Sequence, residues 1–348
     1  MKKHKAIILY AANLNLLISL IMEYRKLGKS GIKISEVSLG TWLTYGNSVE
    51  KNVAKACFKA AFDNGVNFFD TADIYSKGGS ELVVGEILQS FNRKDIVLGT
   101  KVFFPMSESI NDRGLSRKHI IESCNLSLKR LKTDYIDLYQ CHRYDVETEL
   151  EEVIFAMDDL IKQGKILYWG VSQWNAIQIC DAVHLSRLNN RTKPRSNQPV
   201  YNMLNRSIEI DVMNLCDRDG IGLIVWSPLA EGVLTGKYSN CNIPKNSRAA
   251  NEQSNKFIKN RLTPSNLEKV DKLKPIAQEL GLTMSQLALT WCLRKKEISC
   301  VITGASKPEQ IIENVKASGI KISDDTLNKI ELILDNKPIV DQYSDYYK

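Results

Sequence analysis

The sequence predicts an α/β fold: a (β/α)8 barrel with an N-terminal β-hairpin and a C-terminal helix. Three observations carry this. From Val37 onward a short apolar run followed by a helical pattern recurs eight times, roughly every thirty residues, the spacing of βαβ units. Several runs are continuously apolar, as in a parallel sheet buried on both faces. The competing doubly wound sheet would usually place G-x-G-x-x-G after its first strand, and neither that fingerprint nor a Walker A motif occurs.

The elements follow in order. Tyr24 to Ile34, with a Gly28-Lys29-Ser30-Gly31 turn, reads as a hairpin covering the bottom of the barrel. The strands are expected at Val37–Trp42, Asn67–Asp73, Ile96–Val102, Tyr135–His142, Ile166–Ser172, Asn197–Tyr201, Gly222–Ser227 and Cys300–Gly304. The first helix should pack through Val53, Ala56, Cys57, Ala60 and Ala61 and stop at Asn64-Gly65. Apolar residues at 120, 121, 124, 128 and 131 mark one face of a helix between Ser116 and Leu131. Thr148 with Glu151, and Thr283 with Gln286, have capping-box spacing, and Gly164 fits the left-handed end of a helix. Pro308 suits a first helical position.

Residues 1–21 have a basic end and an apolar stretch from Ala6 to Ile21 broken by Asn13 and Asn15. That stretch is short for a membrane span, and no A-x-A-like site precedes Met22. The expectation is a dispensable or untranslated extension with Met22 as the functional start, a signal anchor being the alternative. Residues 22–348 are then one barrel domain.

A net charge of +7 without a basic run interleaved with aromatics gives a nucleic-acid role little support. The eight cysteines are scattered without a C-x-x-C pair, which fits reduced thiols and a cytoplasmic setting. With four histidines, a zinc site has little support, so no metal is expected.

Active sites of such barrels lie where the strands end at the C-terminal face. There the second strand brings Asp70, with Tyr75 in the following loop, the third brings Lys101 and the fourth His142. Each alone also fits a structural role: Asp70 in a helix cap, Tyr75 in packing, Lys101 snorkelling, His142 in the core. Their arrival at one rim suits proton donation. Free tyrosine titrates near pH 10, and an ammonium held by an aspartate is expected to pull that value down. The histidine would position a carbonyl oxygen or relay the proton. The turn at Ser227 to Leu229, the cations Lys237 and Arg248 and the helix opening at Pro308 offer a phosphate site, the alternative being a surface loop and a capped helix, which Pro308 alone fits better.

These motifs resemble the aldo-keto reductase superfamily over Tyr24 to Lys337. The resemblance is carried by FDTADIY with Gly85, and by LGTW, YWGVSQW, WSPLAEGVLTGKY, QLALTWCLR and GASKPEQIIENV. The group most resembled is the potassium-channel β-subunit branch and its bacterial relatives. The resemblance implies a catalytic set of Asp70, Tyr75, Lys101 and His142, with Tyr75 as general acid in NADPH-dependent reduction of aldehydes and ketones. It implies NADPH contacts at Trp42, Asp70, Ser172, Gln173, Gln198, Trp226, Ser227, Pro228, Leu229, Lys237, Arg248, Ser306, Gln310, Glu313 and Asn314. Trp42 and Trp174 are expected to line the substrate pocket, a structural role being the alternative for either. Channel β-subunits carry Asn where this chain has His142 and Arg where it has Gln173, and an aromatic before Ser247 is replaced by Asn246. The implied partner is a small carbonyl substrate, with tetramers or octamers suggested by the channel-type relatives. The alternative function is an NADPH-sensing regulatory subunit of a membrane channel.

Overall fold

The computed structural model describes residues 22–339 except 43–49, 240–242, 246, 252–254 and 256. The expectations for residues 1–21 and for Asn246 lie outside the described residues. Strands β1 (Tyr24–Lys26) and β2 (Lys33–Ser35) form the expected antiparallel hairpin. The barrel strands are β3 (Val37–Gly40), β4 (Phe68–Asp70), β5 (Val97–Val102), β6 (Ile136–Cys141), β7 (Ile166–Ser172), β8 (Ser196–Gln198), β9 (Gly222–Val225) and β10 (Ile298–Gly304). All pair in parallel and in chain order, and β10 closes onto β3.

Around them lie α1 (Lys51–Asp63), α2 (Gly79–Leu88), α3 (Arg117–Leu131), α4 (Leu150–Lys162), α5 (Ala176–Leu188) and α6 (Val212–Asp219). They continue with α7 (Pro264–Glu279), α8 (Met284–Leu293), α9 (Pro308–Val315) and α10 (Asp324–Leu334). None of the described helices is long and apolar enough to cross a membrane.

Two apolar bodies follow from this layering. Helices pack on the outside of the sheet, as where Phe58 of α1 stacks on Phe69 of β4, ring centroids 3.7 Å apart. Inside the barrel, Phe68, Val97, Leu138, Ile224 and Cys300 meet Leu27 and Ile34 of the hairpin. The hairpin therefore seals the N-terminal end. Arg25 holds it there through Glu36 (2.6 Å) and the carbonyls of Leu293, Lys295 and Ile298. With the bottom plugged, the opposite end is left for a site.

Two local expectations are corrected. The buried face of α1 is Ala54, Cys57, Phe58 and Ala61, while Ala56 is exposed. The stack of Phe58 on Phe69 rotates the helix toward the larger side chain. The Thr148–Glu151 capping box does not form: α4 begins after Glu149, and the Thr148 hydroxyl donates instead to Asp145 Oδ2 at 2.9 Å. Thr283 and Gln286 do form theirs.

Helix α2 is clamped beside the site. Glu81, fully buried, accepts from Thr100 Oγ1 of β5 and from Arg130 Nε of α3, each at 2.6 Å. Gly85 permits the approach, since a Cβ there would lie 2.2 Å from the Arg130 carbonyl oxygen. Gly85→Ala must push α2 and α3 apart. We expect it to destabilise the fold by about 1–3 kcal/mol in urea unfolding. An unchanged midpoint would mean that the two helices separate freely.

Candidate active site

The strand ends place the four expected side chains at one rim. Lys101, next to last in β5, is fully buried and donates to Asp70 Oδ2 (2.6 Å), to the Thr71 carbonyl (2.7 Å) and to Tyr75 OH (3.4 Å). Its ammonium also lies 5.0 Å from the Tyr75 ring centroid. Asp70 is 3% exposed, and its other oxygen accepts from Gln198 Nε2 at 2.9 Å. His142 follows β6 directly; its ring stands edge-on to Tyr75, centroids 5.8 Å apart, and its Nδ1 is buried without a partner among the described residues.

The segment carrying Tyr75 is unusually shaped. A 3-10 turn spans Tyr75–Gly78, and Ser76 (φ 53°) and Lys77 (φ 47°) are both left-handed without being glycine. Such conformations cost on the order of 1–3 kcal/mol each and persist only where the surroundings enforce them. Here Asp73 holds the entry, its Oδ1 accepting from Ile74 N at 2.6 Å. Burial and the nearby Glu81 carboxylate push the Asp73 carboxyl well above its usual range. A buried hydroxyl chain then joins three elements: Ser80 donates to Thr41 (2.7 Å) and lies 3.1 Å from Thr71.

The electrostatics differ in one respect from the sequence reading. Burial raises the Tyr75 hydroxyl above its ordinary value, and the opposing pull of Lys101 does not overcome it. Burial lowers Lys101, but Asp70 and Tyr75 outweigh that, and the ammonium is held more firmly than usual. His142 is lowered well below 6.5 by burial and by the cations Lys101 and Arg143, and is neutral at physiological pH.

A cavity of about 960 Å³ opens from this rim. Trp42, Asp70, Tyr75, His142, Ile74 and Phe104 line one end of it. Ser172, Gln198, Trp226, Ser227, Pro228, Leu229, Lys237, Arg248, Ser306, Gln310, Glu313 and Asn314 also line it. Trp42 is packed edge-on by Trp226 (6.4 Å) and Phe257 (5.1 Å), with the Arg248 guanidinium 5.4 Å from its ring centroid. Two expected residues lie elsewhere. Gln173 is exposed, with a left-handed backbone (φ 60°), and its Oε1 accepts from Val200 N at 3.1 Å. Trp174 does not line the cavity, which corrects that expectation: its ring is buried against Tyr144, centroids 4.8 Å apart, just before the cap of α5.

The cavity also suits anions. Lys237, Lys245 and Arg248 bring cations to its lining, Arg248 over the Trp42 ring, and α9 opens at Pro308 close to Ser306. The amides of a helix N-terminus attract negative charge. Ser247 Oγ is buried there with no partner among the described residues. The turn is held in an uncommon shape, with Ser227, Ala230 and Glu231 all left-handed. Ser227 Oγ donates to Glu231 Oε1 at 2.7 Å, and Glu231 pairs with Arg261. A long ligand with phosphates at one end and a flat ring at the other fits these residues.

The residues that sequence reasoning missed are Gln198 as the support of Asp70, the Thr41–Ser80–Thr71 chain, and Phe104, Arg143 and Phe257 in the lining. The pairing of Gln198 with Ser172 across β7 and β8 places it at the rim; its strand-end position was the available signal.

The chain has clear relatives among known proteins. The family model described as the aldo/keto reductase family matches residues 36–335. A protein of Oryza sativa subsp. japonica named as a probable voltage-gated potassium channel subunit beta is 43% identical over 322 residues, 91% of this chain and 98% of that one. One of Arabidopsis thaliana with the same name is 44% identical over 322 residues, with the same coverage. A putative voltage-gated potassium channel subunit beta of Schizosaccharomyces pombe is 45% identical over 330 residues, 92% of this chain and 95% of its own. A closed parallel barrel, matched by the family model over nearly all its strands and by these relatives over nearly their whole length, leaves one conclusion: the chain belongs to the aldo/keto reductase family of oxidoreductases.

Proposed function

We propose that this protein is an NADPH-dependent carbonyl reductase that converts aldehydes and ketones to alcohols, with Tyr75 as general acid. The observation that carries the reading is the Tyr75 hydroxyl 3.4 Å from a buried ammonium that Asp70 holds in place, in a cavity whose lining also carries Lys237, Lys245 and Arg248. The cofactor, bound along that cavity, supplies the hydride. Ser172 and Gln198 would hold its ring amide, and the Trp226–Leu229 turn, Lys237 and Arg248 its phosphates. Ser306, Gln310, Glu313 and Asn314 would take the adenosine end.

The chain's own residues supply the proton and the field. A carbonyl oxygen placed between Tyr75 and His142 meets a donor from each: the phenol, and the ring N–H of neutral imidazole. Because burial keeps Tyr75 protonated at neutral pH, the acid is loaded before substrate arrives. As charge develops on the oxygen, the proton moves from Tyr75, and Lys101 stabilises the phenolate left behind. An ammonium fixed in a water-poor site costs no reorganisation at that moment.

A pH profile follows. With Tyr75 raised and His142 lowered, neither group titrates near neutrality, so reduction should be flat between about pH 6 and 9. Alcohol oxidation needs Tyr75 deprotonated and should rise across the same range. An inflection near pH 6.5 in reduction that disappears in His142→Gln would contradict this assignment.

The test of the proposal is NADPH oxidation by purified protein with a panel of aromatic and dicarbonyl aldehydes, with cofactor binding followed by tryptophan fluorescence. Turnover with NADPH supports it; tight binding without turnover on any aldehyde sinks it.

The names of the relatives favour a second reading, a regulatory subunit assembled with a potassium channel. It uses the same cofactor site, and His142 beside Tyr75 is what inclines us to turnover. Co-purification of a membrane channel with the tagged chain would support it.

A further inference from the structure

We propose that Arg143 is a specificity-determining residue that selects carbonyl substrates bearing a carboxylate. The inference rests on the reductase reading and goes beyond it by naming the substrate class.

Arg143 lies immediately after His142 and lines the same end of the cavity. Its guanidinium is fixed from two sides. Nη1 donates to the His142 carbonyl at 2.5 Å, and the Phe104 ring lies 5.4 Å from its carbon, with Phe104 itself edge-on to His142 at 4.9 Å. A guanidinium carries five N–H donors. One is engaged by the protein, and no carboxylate pairs with Arg143 among the described residues.

The other charges of this cavity are differently placed. Lys101 is committed to Asp70, and Glu231 to Arg261. Lys237, Lys245 and Arg248 also line the cavity, and the Arg248 guanidinium is set over the Trp42 ring, 5.4 Å from its centroid. Arg143 is the lining cation that adjoins His142 in the chain, close enough to Tyr75 that each biases the other's ionisation. Arginine suits this task because its planar fork matches a carboxylate with two parallel hydrogen bonds. A neutral substrate leaves those donors to water, whereas an oxo acid or a carboxylated aldehyde satisfies them while its carbonyl faces Tyr75.

The experiment compares 4-carboxybenzaldehyde with benzaldehyde and 4-nitrobenzaldehyde in wild type, Arg143→Gln and Arg143→Lys. Glutamine can still donate to the His142 carbonyl, and lysine restores the charge without the fork. We expect wild type to favour the carboxylated aldehyde in kcat/KM. Arg143→Gln should shrink the ratio of carboxylated to neutral aldehyde in kcat/KM by roughly 10- to 100-fold, the selective loss appearing in KM for the carboxylated aldehyde, whatever common change its coupling to Tyr75 and His142 makes in kcat for all three. Arg143→Lys should recover part of it. A parallel titration of 4-carboxybenzyl alcohol, the reduced product, into NADP⁺-loaded protein, read by tryptophan fluorescence, needs no turnover. It should weaken by a similar factor in Arg143→Gln and keep the proposal decidable if no aldehyde is reduced, an outcome that would count against the reductase reading alone. Equal preference for charged and neutral aldehydes in wild type, or product binding indifferent to Arg143→Gln, would overturn the assignment.

Discussion

Tyr75→Phe is expected to lower kcat for aldehyde reduction by about 10²- to 10⁴-fold, the range that a positioned general acid supplies. The substitution removes one oxygen and keeps the ring that sits 6.5 Å from Trp42 and 5.8 Å from His142. NADPH binding, followed by tryptophan fluorescence, should therefore be retained. A variant that binds cofactor normally and turns over within a few-fold of wild type would remove Tyr75 from the chemistry. The remaining donor beside the substrate would then be His142, whose burial already keeps it neutral.

The second large effect is on stability as well as on rate. Lys101 and Asp70 form an ion pair with side chains 0% and 3% exposed. Lys101→Met strips Asp70 of its cation and leaves it with the Gln198 amide as its side-chain donor. Removing one member of a buried pair typically costs about 3–5 kcal/mol, because the surviving charge stays desolvated. Urea unfolding of Lys101→Met should show a loss of that size, and reduction should collapse with it. The double variant Asp70→Asn/Lys101→Met has no orphan charge and should regain part of the stability but none of the activity. If the double variant were as unstable as the single one, the cost would lie in packing around the lysine stem.

Much of this was legible in the sequence, for identifiable reasons. Continuous apolar runs such as Val97–Val102 and Ile136–Cys141 can be read because a parallel strand covered on both faces has no polar side to blur it. The rim residues can be read because the C-terminal ends of the strands are where this architecture exposes chemistry. The failures share a cause: competition between possible partners, some close in sequence and some distant. Thr148 had the spacing of a cap, but Asp145 takes its hydroxyl. The first helix presents Phe58 because Phe69 stacks on it. Trp174, next to a rim serine, packs against Tyr144. The direction of the Tyr75 shift depends on how far burial outweighs Lys101, a balance that no spacing encodes. Gln198 reaches Asp70, and Arg143 meets Phe104, only once the barrel has closed.

The central claim is that this site transfers hydride to a carbonyl carbon. Its most direct measurement supplies NADPH deuterated on one face at the reactive nicotinamide carbon, together with an aldehyde, and analyses the alcohol by mass spectrometry. The account predicts one deuterium in the alcohol from one of the two faces and none from the other, with incorporation lost in Tyr75→Phe in proportion to its rate. Cofactor bound tightly, with no deuterium reaching any carbonyl substrate from either face, would contradict it.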